Sequence, residues 1–164
     1  MENRFVTTIK RKQKHEDLSF IILASSQIHN KKHLGAKSLF MVDKQHTLLD
    51  IQCESIKLAY PESEVVLVAG YRCRDIIKYK PDGVKIIENQ LHESTGQLEE
   101  LRLALNVVNN KKVVIINGDI LFNTNAIKQI SNHSSCILID SKSVFDEDDI
   151  GCIVNNSVLE STGH

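Results

Sequence analysis

The chain has 164 residues, 41% of them hydrophobic, enough for one packed core and a single domain as the default. Its 20 Lys and Arg stand against 21 Asp and Glu, a formal charge of -1, so the global charge gives no reason to expect a nucleic-acid partner. No apolar stretch approaches the roughly 20 residues of a membrane span, and the polar N-terminus is unlike a signal segment, so no membrane association and a cytoplasmic location are expected.

Residues 1–17 read as a polar arm. Its cluster Lys10-Arg11-Lys12-Gln13-Lys14-His15 is either a solvated arm or a contact for an anionic polymer or a partner surface. Leu18 to Ala24 is the first strand, and its continuous apolarity predicts a central strand covered on both faces. A polar loop, Ser25 to Ala36, follows, then a short apolar piece, Ser38 to Val42, and a turn, Asp43 to His46. A helix is expected from about Thr47 to Ala59, ended by Pro61. Glu64 to Ala69 is the second strand, Arg72 to Tyr79 a short helix, Pro81-Asp82-Gly83 a turn and Val84 to Glu88 the third strand. Ser94 and Gln97 have capping-box spacing ahead of a helix whose Leu98, Leu101, Leu105 and Val108 share one face. Lys112 to Asn117 is the fourth strand, Asn123 to Asn132 a helix and Cys136 to Asp140 a fifth strand. After the acidic run Asp146 to Asp149, residues 151–161 read as a hairpin turned by Asn155-Asn156, or as one strand on an antiparallel edge. Alternating strands and helices predict a mostly parallel sheet with helices on both faces, a three-layer Rossmann-like α/β sandwich over 18–164.

In such a sheet a ligand lies beyond the C-terminal strand ends. The segment Ile115-Ile116-Asn117-Gly118-Asp119 delivers a carboxylate there. Asp119 is either a Mg²⁺ ligand beside a bound phosphate or a cap for the next helix. The loop after the first strand holds Ser25, Ser26, Lys31, Lys32 and, just beyond it, Lys37, all able to meet phosphate. It has one glycine, so it is neither a Walker loop nor a dinucleotide fingerprint, and a merely solvated loop is the competing reading. The four cysteines, Cys53, Cys73, Cys136 and Cys152, form no C-x-x-C pair and sit in or beside apolar segments. Buried free thiols fit them better than zinc or a disulfide framework. The seven histidines lack metal-ligand spacing, and no Ser-His-acid set is recognisable.

The order of these pieces resembles the NTP-transferase family built on the glycosyltransferase A-type fold. Phe20 to Ala24 looks like that family's first strand, and Gly35-Ala36-Lys37-Ser38-Leu39 like the segment around its lysine, with Ala36 where proline is usual. Val65 to Tyr71 is similar to its second strand with the Gly-Tyr ending. Glu88-Asn89 and Thr95-Gly96-Gln97 resemble the segments around the nucleotide base, and Asn117-Gly118-Asp119 with Phe122 the Gly-Asp metal site. The likeness covers about residues 18–141.

The resemblance implies nucleotidyl transfer from a nucleoside triphosphate to a small phosphorylated acceptor, such as a sugar phosphate or phosphocholine, with release of pyrophosphate. Lys37 would contact phosphate and Asp119 would hold Mg²⁺. Ala24, Ser25, Ser26, Lys31, Lys32, Glu88, Thr95, Gly96, Gln97 and Gly118 would line the nucleotide. The family's glycine-rich loop and its arginine are replaced here by Ser25 to Asn30, and family members generally continue well beyond 164 residues, so an incomplete C-terminus is expected. Those departures keep a second reading open, an inactive relative used for binding or assembly. A nucleotide-sugar glycosyltransferase is a third, although Asn117-Gly118-Asp119 offers only one acid of an Asp-x-Asp site. The terminal hairpin would leave an edge through which a homodimer could form.

Overall fold

A computed structural model describes residues 18–25, 35–132, 135–139 and 151–163. The chain divides between Ser134 and Ser135 into two compact units. The first is built on a four-stranded, all-parallel sheet of β1 (Leu18–Ala24), β2 (Glu64–Ala69), β3 (Val84–Glu88) and β4 (Lys112–Asn117), in the order β3-β2-β1-β4. All four strands have the bounds expected from their apolar runs. The helices are α1 (Leu48–Ala59), α2 (Cys73–Tyr79), α3 (Gln97–Leu105) and α4 (Thr124–Lys128).

Alternation along β1 sorts the core into two layers. Phe20, Ile22 and Ala24 pack with Leu49, Cys53 and Ile56 of α1, Cys73 and Ile76 of α2 and Ile127 of α4. Ile21 and Leu23 pack on the other side with Val66, Val68 and Ala104 of α3. Every β1 side chain is buried, Ser19 included, which explains the almost continuous apolar run. This is the expected three-layer α/β arrangement, with helices on both faces of a parallel sheet.

Local chemistry sets the helix ends. Thr47 and Asp50 form a capping box, the Thr47 hydroxyl accepting from the Asp50 amide while the Asp50 carboxylate accepts from the Thr47 amide. Asn123 caps α4 through the Ala126 amide. The expected box at Ser94 does not form: α3 begins after Gly96, and the Ser94 hydroxyl instead donates to the Leu91 carbonyl. The inward face of α3 also differs from the expected leucine stripe. Leu98 is 84% exposed and Leu105 is exposed, while Glu100 and Ala104 are buried and Leu101 and Val108 pack against the core. The face is rotated because the Glu100 carboxylate accepts a hydrogen bond from the buried Ser25 amide, 3.3 Å away.

At the N-terminal end of the sheet Glu64 accepts hydrogen bonds from the Ser19 hydroxyl, the Lys85 ammonium and both the backbone and side-chain amides of Asn109. Burial raises the Glu64 carboxyl, but these donors outweigh it and bring it from 4.5 to about 2.

In the second unit Cys136 to Ile139 are exposed and form no strand, and Asp140 lies outside the described residues, so the expected fifth strand is absent from the described part. The hairpin is present, as β5 (Gly151–Asn155) and β6 (Val158–Gly163), antiparallel. Its turn falls on Asn156-Ser157, one residue later than expected, with φ of 48° and 62°, the conformation of a type I′ turn. All four cysteines are free; Cys53 and Cys73 are buried as expected, whereas Cys136 is exposed and Cys152 half-buried. Among the described residues no helix is long and apolar enough to cross a membrane.

Candidate active site

The sheet order reverses at β1. The chain moves outward from β1 through β2 to β3, then returns to place β4 on the opposite side of β1. The switch point therefore lies between the ends of β1 and β4, where open parallel sheets bind ligands. Ala24 and Ser25 leave β1 there, and Asn117-Gly118-Asp119 leave β4.

Gly118 makes that approach possible. Its amide donates to the Leu23 carbonyl at 2.8 Å. A Cβ on Gly118 would lie 2.6 Å from the Ala24 Cβ and 2.8 Å from the Leu23 oxygen, so any larger residue would push the strand ends apart. The Ile120 amide then donates to the Asn117 carbonyl at 3.3 Å, closing a tight turn with Asp119 at its outer corner.

Lys37 enters from a short 3-10 turn, Lys37–Leu39, seated ahead of α1. Its Nζ lies 3.0 Å from Asp119 Oδ2, joining the two sequence-selected residues in an ion pair. Both side chains remain accessible, at 33% and 46% exposure. The turn after it is closed by Asp43, which accepts from the Gln45 and His46 amides and from the His46 ring. The Gln45 amide and then the His46 ring hold the Asp43 carboxyl down at about 2, and the Asp43 carboxylate raises His46.

The residues that the resemblance assigns to the base lie between the end of β3 and the start of α3. The Asn89 side chain is buried, donates to the Thr95 hydroxyl at 3.0 Å and accepts from the Leu91 amide at 3.1 Å, which fixes the β3–α3 loop. Gly96 precedes α3, with open space where a Cβ would project. Gln97 is exposed, and its amide donates to the Asn117 side chain at 3.4 Å, linking this segment to the Gly118–Asp119 turn. Glu88 ends β3 and is exposed. Ser25 is buried, with its carbonyl accepting from the Tyr71 amide. Ser26, Lys31 and Lys32 lie outside the described residues, as do the basic arm and Asp146 to Asp149.

Two buried polar residues at this end of the sheet were not singled out from sequence: Gln52 on α1 and Glu100 on α3. Each interrupts an apolar helical stripe, Gln52 between Leu49, Cys53 and Ile56, and Glu100 beside Leu101 and Ala104. A polar side chain at such a position was the available clue.

A divalent cation is compatible with this donor set in one form. Among the described residues no three His, Cys, Asp or Glu side chains gather into a metal site. Mg²⁺ is commonly held by one or two carboxylates with phosphates and water completing its shell. Asp119 fits that role alongside a phosphate ligand.

No protein-family model matches the sequence, and no curated protein matches it. Solved structures do match the fold. The nucleotidyl transferase Mth528 from Methanothermobacter aligns with a TM-score of 0.59 at 14% identity, over 73% of this chain and 59% of that one. The CTP:phosphocholine cytidylyltransferase LicC from Streptococcus pneumoniae aligns with a TM-score of 0.52 at 19% identity, over 66% of this chain and 50% of that one. Rv0371c from Mycobacterium tuberculosis H37Rv gives 0.56 at 16%, over 72% and 60%, and has also been solved in complex with manganese. The chain thus spans between 50% and 60% of the length of these three structures. It has the fold of the nucleotidyl transferase Mth528 and the cytidylyltransferase LicC.

Proposed function

We propose that this chain carries the nucleotide site of a metal-dependent nucleotidyltransferase. The observation that carries the reading is the meeting of Lys37 and Asp119, 3.0 Å apart, at the switch point of a parallel sheet. A nucleoside triphosphate would lie across the ends of β1 and β4, its base toward Thr95, Gly96 and Gln97 and its phosphates toward Lys37. Ala24, Ser25 and Gly118 would form the floor, with Ser26, Lys31, Lys32 and Glu88 assigned to the nucleotide from sequence. Lys37 would leave Asp119 for the phosphates and neutralise charge growing on the phosphoryl oxygens. Asp119 would hold Mg²⁺, which supplies the same kind of electrostatic stabilisation when bound. An oxygen of the acceptor's phosphate would bond to the α-phosphorus in line with the departing pyrophosphate, as the bond from the α-phosphorus to the bridging oxygen breaks. The manganese complex of Rv0371c and the activities named for Mth528 and LicC support this class of reaction. The acceptor would be a small phosphorylated molecule, and the site lies within the first compact unit.

A specific observation favours a second reading, a noncatalytic scaffold. The Ser25 amide at the exit of β1 is already satisfied by the buried Glu100 carboxylate. That N–H is therefore withdrawn from phosphate, and a carboxylate stands close to the phosphate-binding position.

One panel separates the two readings. ATP, CTP, GTP and UTP, each with and without Mg²⁺ or Mn²⁺, are scored by thermal shift. The catalytic reading expects one nucleotide to raise Tm only with metal, and Asp119→Asn to erase that gain. Absence of any metal-dependent gain across all four nucleotides, in the longest natural form of the chain, would overturn it in favour of the scaffold.

A further inference from the structure

We propose that Gln52 is a positioning residue that fixes the Asp119 carboxylate opposite Lys37, an inference that rests on the nucleotidyl-transfer reading. Gln52 is fully buried on α1. Its Nε2 donates to the Asn117 carbonyl at 3.1 Å and to the Ile120 carbonyl at 2.7 Å. Those carbonyls are the first and last of the tight turn that carries Asp119, so one carboxamide grips both ends of it. Both partners can only accept, which sets the orientation of the amide without ambiguity.

The arrangement has a cost that packing alone does not explain. Gln52 Oε1 is buried and has no hydrogen-bond partner among the described residues. An apolar residue would continue the Leu49–Cys53–Ile56 stripe and bury no unpaired oxygen. What the carboxamide adds is a fixed relation between α1 and the turn after β4.

The same helix is tied to the other half of the site. The Phe40 amide donates to the Lys37 carbonyl at 3.1 Å, and the Leu48 amide, at the start of α1, donates to the Phe40 carbonyl at 2.8 Å. One rigid, capped helix therefore references Lys37 through its first residue and Asp119 through Gln52, one turn later. The Gln52 amide donates to two carbonyls of the turn, so the residue acts through the backbone of the turn.

The test uses Gln52→Met, which keeps side-chain length and packing but removes both donors. Nucleotide affinity is measured by titration with and without Mn²⁺, and amide hydrogen exchange is followed at Gly118 to Ile120. The metal-dependent part of the affinity should fall about tenfold or more, metal-free affinity should hold, and exchange in the turn should accelerate. Equal losses with and without metal would reduce Gln52 to general packing and overturn the proposal, as would no loss. If the wild type shows no metal-dependent binding, the nucleotidyl-transfer reading falls, and unchanged exchange in the variant would separately remove the clamp. Should Gln52→Met not fold, the wild-type carboxamide protons decide: both should be protected from solvent exchange, and rapid exchange at either would overturn the proposal.

Discussion

The two ends of the parallel sheet solve opposite problems. At the N-terminal end, Glu64 gathers donors from β1, β3 and the segment ahead of β4, and its carboxylate is satisfied on all sides. At the C-terminal end, two buried polar atoms, Ser38 Oγ and Gln52 Oε1, have no partner among the described residues, and the Lys37–Asp119 ion pair is partly open to water. The first arrangement fastens strands together. The second keeps charge accessible on a rigid frame and accepts unsatisfied groups near it, the pattern expected where binding rather than stability decides the residue.

Breaking the frame of the C-terminal end should have the largest effect. Gly118→Ala places a methyl against Ala24 and the Leu23 carbonyl, and about 3 kcal/mol of lost stability is expected in denaturant titration, together with loss of nucleotide binding. Loss of less than about 1 kcal/mol would mean that the β1–β4 approach is looser than described. Next comes Glu64. Its carboxyl is lowered in the folded state, so its stabilisation is present above pH 4.5 and is lost as pH falls toward about 2. Glu64→Gln should cost about 1–2 kcal/mol at neutral pH, after allowance for the half-exposed Lys85. The deficit should vanish below about pH 2, with nucleotide binding untouched throughout. A deficit independent of pH would assign the effect to packing instead. The smallest change is expected at the site itself: Asp119→Asn removes an exposed pair and should alter stability by about 0.5 kcal/mol or less. A larger loss in urea titration would make Asp119 a structural residue and erase the contrast between the two ends.

Much of this was legible in the sequence where physics is local. The runs of β1, β2 and β4 had clear ends, because each is dominated by consecutive apolar residues: β1 and β2 are covered on both faces, with Ser19 the one polar residue inside β1, while the edge strand β4 is only partly covered. Asp119 followed from placing a carboxylate beyond a strand end, whereas Lys37 came from the family resemblance, and their ion pair is a finding of the structure. The α3 face was misread because two apolar stripes compete along that helix. The tertiary bond from Ser25 to Glu100, 75 residues apart, decides between them. The Ser94 cap failed for a local reason, since a Leu91–Ser94 turn claims the hydroxyl first. Gln52 and Glu100 passed unnoticed because a buried polar group announces its purpose only through partners distant in the chain. Ser26, Lys31 and Lys32 fall outside the described residues, so the loop that should meet phosphate was read from sequence alone.

The strand order also constrains how the molecule comes into being. Lys37 and Asp119 are 82 positions apart, and β1 is flanked on both sides only when β4 has docked. Such high contact order slows the assembly of parallel sheets. During synthesis the nascent chain would hold β1 with one bare edge for as long as it takes the ribosome to reach Asn117. A chain halted before that point has a lysine and no carboxylate to meet it, so the Lys37–Asp119 pair would form in a single late event rather than grow by stages.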